Sequence, residues 1–86
     1  MRYQATRRFE RTFSDLPDED AERVRKALRL LAENPRHPSL QAKRIQGTEG
    51  IWEARAGLAI RLTYETRSDL IILRNVGLHD ATLKKP

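Results

Sequence analysis

His79, one of only two histidines in the chain, stands beside Asp80 directly after the apolar run "LIILRNV". An unperturbed imidazole titrates near neutrality, so His79 is the one residue in the C-terminal half suited to carry a proton in general acid–base chemistry. Asp80 is placed to orient that imidazole, and equally to shape a turn. Three arginines sit on or beside the preceding strand-like segments: Arg55, Arg61 and Arg74. A planar guanidinium suits phosphate oxygens and the charge that builds on them during reaction. Lys43 and Arg44 add two adjacent cations, and Glu53 lies two residues before Arg55. Each has a plainer role open to it. His79 can cap a strand, and Glu53 and Arg55 can pair across a solvated sheet face for little energy. Arg61 is the sharpest of the set, because an arginine flanked by apolar strand residues needs an anion near it.

Charge points the same way. The chain of 86 residues carries 17 Lys and Arg against 12 Asp and Glu, a net charge of +5. Residues 1–35 hold eight basic and seven acidic side chains, and residues 36–86 hold nine and five, so the excess lies in the second half. Thirteen of the 17 cations are arginine, which favours a polyanionic partner such as nucleic acid, or an acidic protein segment. With no cysteine there is neither a disulfide framework nor a thiolate metal site. No metal or cofactor is called for. No apolar run has the length of a membrane span or a signal-peptide core, so no membrane partner is expected and the cytoplasm is the default location.

The elements that must position these residues follow from periodicity. Hydrophobic residues make up 38% of the chain, enough for one small core, so residues 1–86 read as a single domain. "RYQA" alternates as a short first strand. Phe9, Phe13 and Leu16 recur at helical spacing and stop near Pro17. Asp18, Glu19 and Asp20 open a second helix, whose stripe Ala21, Val24, Leu28 and Leu31 runs until Asn34 meets Pro35. After the connector "PRHPSLQ" the period changes from helical to alternating. "AKRIQ", "IWEARA", "AIRLTYE" and "LIILRNV" are separated by "GTEG", Gly57 and "ETRSD", which reads as four antiparallel strands joined by tight turns. The expected fold is α+β: an N-terminal strand, two helices, then a four-stranded antiparallel meander with the helices packed on one sheet face. Alternation puts Ile60, Leu62 and Tyr64 towards the helices and Arg61 on the open face, beside Arg55 and Glu53. The near-continuous apolar run "LIILR" reads as the central strand, and the closing "HDATLKKP" as a short basic tail.

In this order, "LP…RVRKALRLLAENPRHPSL", "KRIQGTEGIWEARAGLAIRLTYE" and "LRNVGLHDATLKK" resemble the RelE/ParE superfamily of bacterial type II toxins, over nearly the whole chain. The resemblance rests on a helix ending in Asn-Pro, a Gly-bearing turn before Trp-Glu-x-Arg, an Arg-x-x-Tyr strand, and the closing Val-Gly-x-His-Asp. It implies a cytoplasmic toxin with a cognate antitoxin as partner. RelE-like members cleave mRNA on the ribosome, and ParE-like members poison DNA gyrase without nuclease activity. By position, Arg61 matches the Arg of the Arg-x-x-Tyr strand, His79 the C-terminal His of several nuclease members, and Arg55 a basic strand residue. The leading expectation is therefore a ribosome-dependent mRNA endonuclease acting by metal-free 2′-OH attack. His79, Arg61 and Arg55 would be catalytic, Lys43, Arg44 and Arg74 would bind RNA phosphates, and Asp80 and Glu53 would be candidate orienter and base. The alternatives are a gyrase poison and a non-toxic antitoxin-binding relative. The chain departs from many nuclease members in lacking an aromatic soon after His79, which leaves Trp52 or Tyr64 to stack on a base.

Overall fold

The computed structural model describes residues 2–86. The chain runs β1 (Arg2–Ala5), α1 (Arg7–Ser14), α2 (Asp18–Glu33), a 3-10 turn (Pro38–Leu40), β2 (Lys43–Arg44), β3 (Trp52–Arg55), β4 (Ile60–Arg67), β5 (Leu70–Leu78) and α3 (His79–Lys84). The strands form one sheet in the order β1-β5-β4-β3-β2. The four later strands are the expected antiparallel meander, and β1 joins β5 in parallel, so the sheet has five strands and is mixed. Its middle strand is β4. The apolar β5, expected in the centre, lies one place towards β1 and is still paired on both edges.

Local chemistry explains each boundary. The Thr6 hydroxyl accepts from the Phe9 N–H at 3.1 Å and starts α1. Phe9 and Phe13 stack with ring centroids 6.2 Å apart. Three acids in the first turn of α2 suit the positive end of its dipole. The helix stops where Asn34, extended ahead of Pro35, leaves the helical region. The buried face of α2 is Ala21, Val24, Ala27, Leu28 and Leu31, one helical stripe. It packs with Ala54, Ile60, Leu62, Tyr64, Ile71, Leu73 and Val76 in a single core. Burying a side chain such as Leu31 or Leu62 fully contributes roughly 1.5–3 kcal/mol.

Two features were not anticipated. Thr63 opposes Asn75 while Tyr64 opposes Leu73, so Arg74 is an extra residue, a bulge in β5. The bulge lets Leu73 and Val76, three positions apart, both face the core. The second is that the closing segment is a helix and not a free tail. α3 packs on the second face of β4 and β5, with Thr82 buried. Asn75 donates to the Lys85 carbonyl at 3.2 Å, Thr63 donates to the Pro86 oxygen at 3.1 Å, and Arg8 reaches the Lys85 carbonyl from α1. The face expected to be open is thus half covered. No helix among the described residues is long and apolar enough to cross a membrane.

Candidate active site

What remains uncovered of that face is a cavity of about 260 Å³ between α3 and the β2 edge, lined by Gln41, Lys43, Glu53, Arg55, Arg61 and His79. Sheet register builds it. Lys43 on β2 opposes Glu53 on β3, Arg55 on β3 opposes Arg61 on β4, and Arg61 opposes Gly77 on β5. Because Glu53 and Arg55 are two residues apart, they share a face, and the cross-strand pairs carry Lys43 and Arg61 onto it.

Arg61 is 6% exposed. Its Nη1 donates to the carbonyls of Ile60 at 3.0 Å, Leu58 at 3.2 Å and Gly57 at 3.5 Å. Those bonds aim the guanidinium along the β3–β4 turn and leave its remaining N–H groups free. Burial first, and then the facing Arg55, pull the Arg61 guanidinium below its ordinary value, while Glu53 pushes it back up. Glu53 is itself buried, and the side chains of Glu53, Arg55 and Lys43 make no hydrogen bond or ion pair among the described residues. Two arginines directly opposite each other, with no carboxylate in ion-pair contact, repel. Such an arrangement is stabilised by an arriving anion.

His79 enters from the far side as the first residue of α3. Its N–H donates to the Ala59 carbonyl at 3.0 Å, which ties the start of the helix to the β3–β4 turn. Its Nδ1 lies 2.9 Å from the Asp80 carboxylate, and half of the imidazole is exposed. With Nδ1–H donating to Asp80, Nε2 is left as the acceptor nitrogen of the neutral ring. α3 can lie this close because residue 77 is glycine: a Cβ there would stand 2.9 Å from the Thr82 hydroxyl.

Five of the eight residues singled out from sequence therefore line one cavity, and a sixth, Asp80, holds one of those five, His79, from outside it. Two do not belong to the cavity. Arg74, expected to bind phosphate, donates to Glu65 at 2.9 Å and to the Pro86 oxygen at 3.2 Å, because the bulge turns it towards the C-terminal segment. Arg44 opposes Trp52 and so lies on the other face of the edge strand. Trp52 and Tyr64 also belong to that other face, stacked at 6.5 Å, so neither ring is at hand to stack beside His79. Gln41 was missed. It reaches the cavity from a left-handed backbone conformation (φ 44°), and glutamine is not a residue type that announces one.

No family model matches the chain, and no curated protein sequence does. Solved structures do. YafQ from E. coli superposes with a TM-score of 0.79 at 17% identity, covering 94% of this chain and 97% of that one. A YoeB/ParE toxin from Agrobacterium tumefaciens gives 0.76 at 15% identity, covering 92% and 99%. The archaeal RelE of a RelE–RelB complex from Pyrococcus horikoshii gives 0.75 at 17% identity, covering 92% and 94%. With near-complete coverage of both partners in each case, this chain has the fold of the RelE-like toxin superfamily.

Proposed function

We propose that the protein is the toxin of a type II toxin–antitoxin pair and cleaves mRNA on the ribosome at the Arg55–Arg61–His79 cavity. The observation that carries this reading is the unpaired Arg55–Arg61 cross-strand contact, with Lys43 and His79 lining the same cavity. A phosphodiester there meets two arginines that make no ion pair with a carboxylate among the described residues, although Glu53 lines the same cavity. In the reaction the ribose 2′-oxygen attacks the adjacent phosphorus and the bond to the 5′-oxygen breaks, giving a 2′,3′-cyclic phosphate and a 5′-hydroxyl. Arg61 and Arg55 stabilise the charge that develops on the phosphorus-bound oxygens. His79 transfers a proton through Nε2, with Asp80 fixing its tautomer. Glu53, the carboxylate that lines the cavity, complements His79 as the partner base.

An antitoxin partner is supported by the neighbours, since YafQ is described in a DinJ–YafQ toxin–antitoxin complex and RelE in complexes with RelB. Primer extension on an mRNA under translation in a reconstituted reaction tests the nuclease. Wild type leaves discrete cuts, and His79→Ala slows them by roughly 10²–10⁴. Absence of cuts with wild type, together with inhibition of gyrase supercoiling, would overturn the nuclease in favour of a protein-binding poison.

A further inference from the structure

Around the β2 edge from the cavity lies a second and larger cleft, of about 470 Å³. Its size falls within the range of about 300–1,000 Å³ usual for small-molecule sites. Its walls are flat and apolar: Pro35 and Pro38 of the connector, and the stacked rings of Trp52 and Tyr64. Its rim is polar, from Arg36, His37 and Gln41. The His37 ring is fixed, because its Nδ1 takes the Ser39 N–H at 3.2 Å and lies 2.8 Å from the Ser39 hydroxyl, which leaves Nε2 to face a ligand. The Arg36 side chain makes no hydrogen bond or ion pair among the described residues. An aliphatic side chain in this cleft would leave those groups unanswered. A planar heteroaromatic ring, with donors and acceptors on its edge, would use both the walls and the rim.

The cleft and the cavity are neighbours across the edge of the sheet. Gln41 lines both. β2, the strand between them, is two residues long and forms the sheet edge, so nothing in the sheet lies beyond it. Lys43 lines the cavity with Glu53, and Arg44, opposite Trp52, lies on the cleft's side of the sheet without lining the cleft itself. Both are exposed and neither is ion-paired among the described residues. A cationic path therefore leads around the edge from one to the other. Resting on the RNA reading above, we infer that the Trp52–Tyr64 cleft is a nucleobase pocket: RNA with a phosphate in the Arg55–Arg61 cavity crosses β2 on Lys43 and Arg44 and seats a flanking base between Trp52 and the connector. This gives Arg44 a ligand and assigns the site a single-stranded substrate, since a paired base cannot enter.

Trp52 is the only tryptophan in the chain, so its fluorescence reports on the pocket directly. The full chain is titrated, without ribosomes, with a single-stranded RNA hexamer and with a hexamer of the same length whose bases are removed. The pocket predicts saturable Trp52 quenching by the base-bearing hexamer and binding about tenfold tighter than that of the abasic one, the scale of one base–aromatic stack. Ala42→Phe, which fills the cleft and spares Trp52, removes the preference and leaves abasic binding intact. Arg44→Glu, an exposed change, weakens both hexamers and lowers the salt slope by about 1. Equal affinities, no quenching, or quenching that survives Ala42→Phe would each overturn the pocket. So would quenching by an amphipathic peptide and not by RNA. The two readings separate cleanly: mRNA cuts without a base preference remove the pocket alone, and a base preference without cuts removes the nuclease alone.

Discussion

Arg61 and Arg74 stand on neighbouring strands of one sheet and are treated in opposite ways. Arg74 has a carboxylate at 2.9 Å and a backbone oxygen at 3.2 Å, and Glu65 in turn also holds Arg67 at 3.1 Å. Arg61 is more deeply buried, yet it receives only carbonyls at one nitrogen and faces another arginine. A buried cation left short of an anion costs stability, and a fold has no use for that cost. The contrast separates the arginine that ties the C-terminal segment to the sheet from the one to which the proposed function gives an incoming phosphate. It also explains why equal suitability by residue type did not mean equal surroundings.

The largest test of that contrast is a pair of substitutions. Arg61→Ala should lower mRNA cleavage by roughly 10²–10³ and change thermal stability little, since the repulsion from Arg55 goes with it. Arg74→Ala should do the reverse, keeping cleavage near wild type and costing about 1–3 kcal/mol in denaturant melts, because Glu65 keeps only Arg67 and the Pro86 oxygen loses a donor. Equal losses of cleavage in both would erase the distinction. Next in size is Gly77→Ala, which forces a Cβ against Thr82 and should cost roughly 1–3 kcal/mol. It also displaces His79 from the cavity and so slows cleavage. Adding Thr82→Ala removes the obstructing hydroxyl, and the double variant should recover most of both losses.

A smaller effect belongs to the other face. Burial pushes the Tyr64 phenol up from 10.0 to about 12. Between those values the unfolded chain gives up a proton that the folded chain keeps, so this contribution to stability falls as pH rises across that window. Melts of wild type and Tyr64→Phe at pH 9, 10 and 11 should diverge from about pH 10 upward; parallel curves would show that the phenol is not buried as described. Smallest of all, removing the exposed Arg25–Glu22 pair, 2.6 Å apart, by Glu22→Ala should shift stability by no more than about 0.5 kcal/mol.

Periodicity was enough for α2 and for the meander because a buried stripe and a one-sided strand each leave a pattern in the residues that make them. The placement of Glu53, Arg55 and Arg61 on one face followed from the same alternation. α3 left no such pattern. Six residues with one buried side chain form a helix only because Thr82 fits over Gly77 and because Arg8, Thr63 and Asn75 hold the backbone of residues 85–86. The position of His79 depends on that tertiary contact. Arg74 lies outside the cavity for a related reason: a strand bulge adds one residue, and counting by twos fails beyond it. Gln41 lay outside any pattern, since its reach into both cavities comes from a single left-handed turn.

The most direct measurement is the chemistry of the cut ends on mRNA translated in the presence of the wild-type protein. Attack by the 2′-oxygen at the Arg55–Arg61–His79 cavity predicts 2′,3′-cyclic phosphates upstream and 5′-hydroxyls downstream, both lost in Arg61→Ala. Cut ends carrying 5′-phosphates and 3′-hydroxyls, or an mRNA left whole, would contradict it.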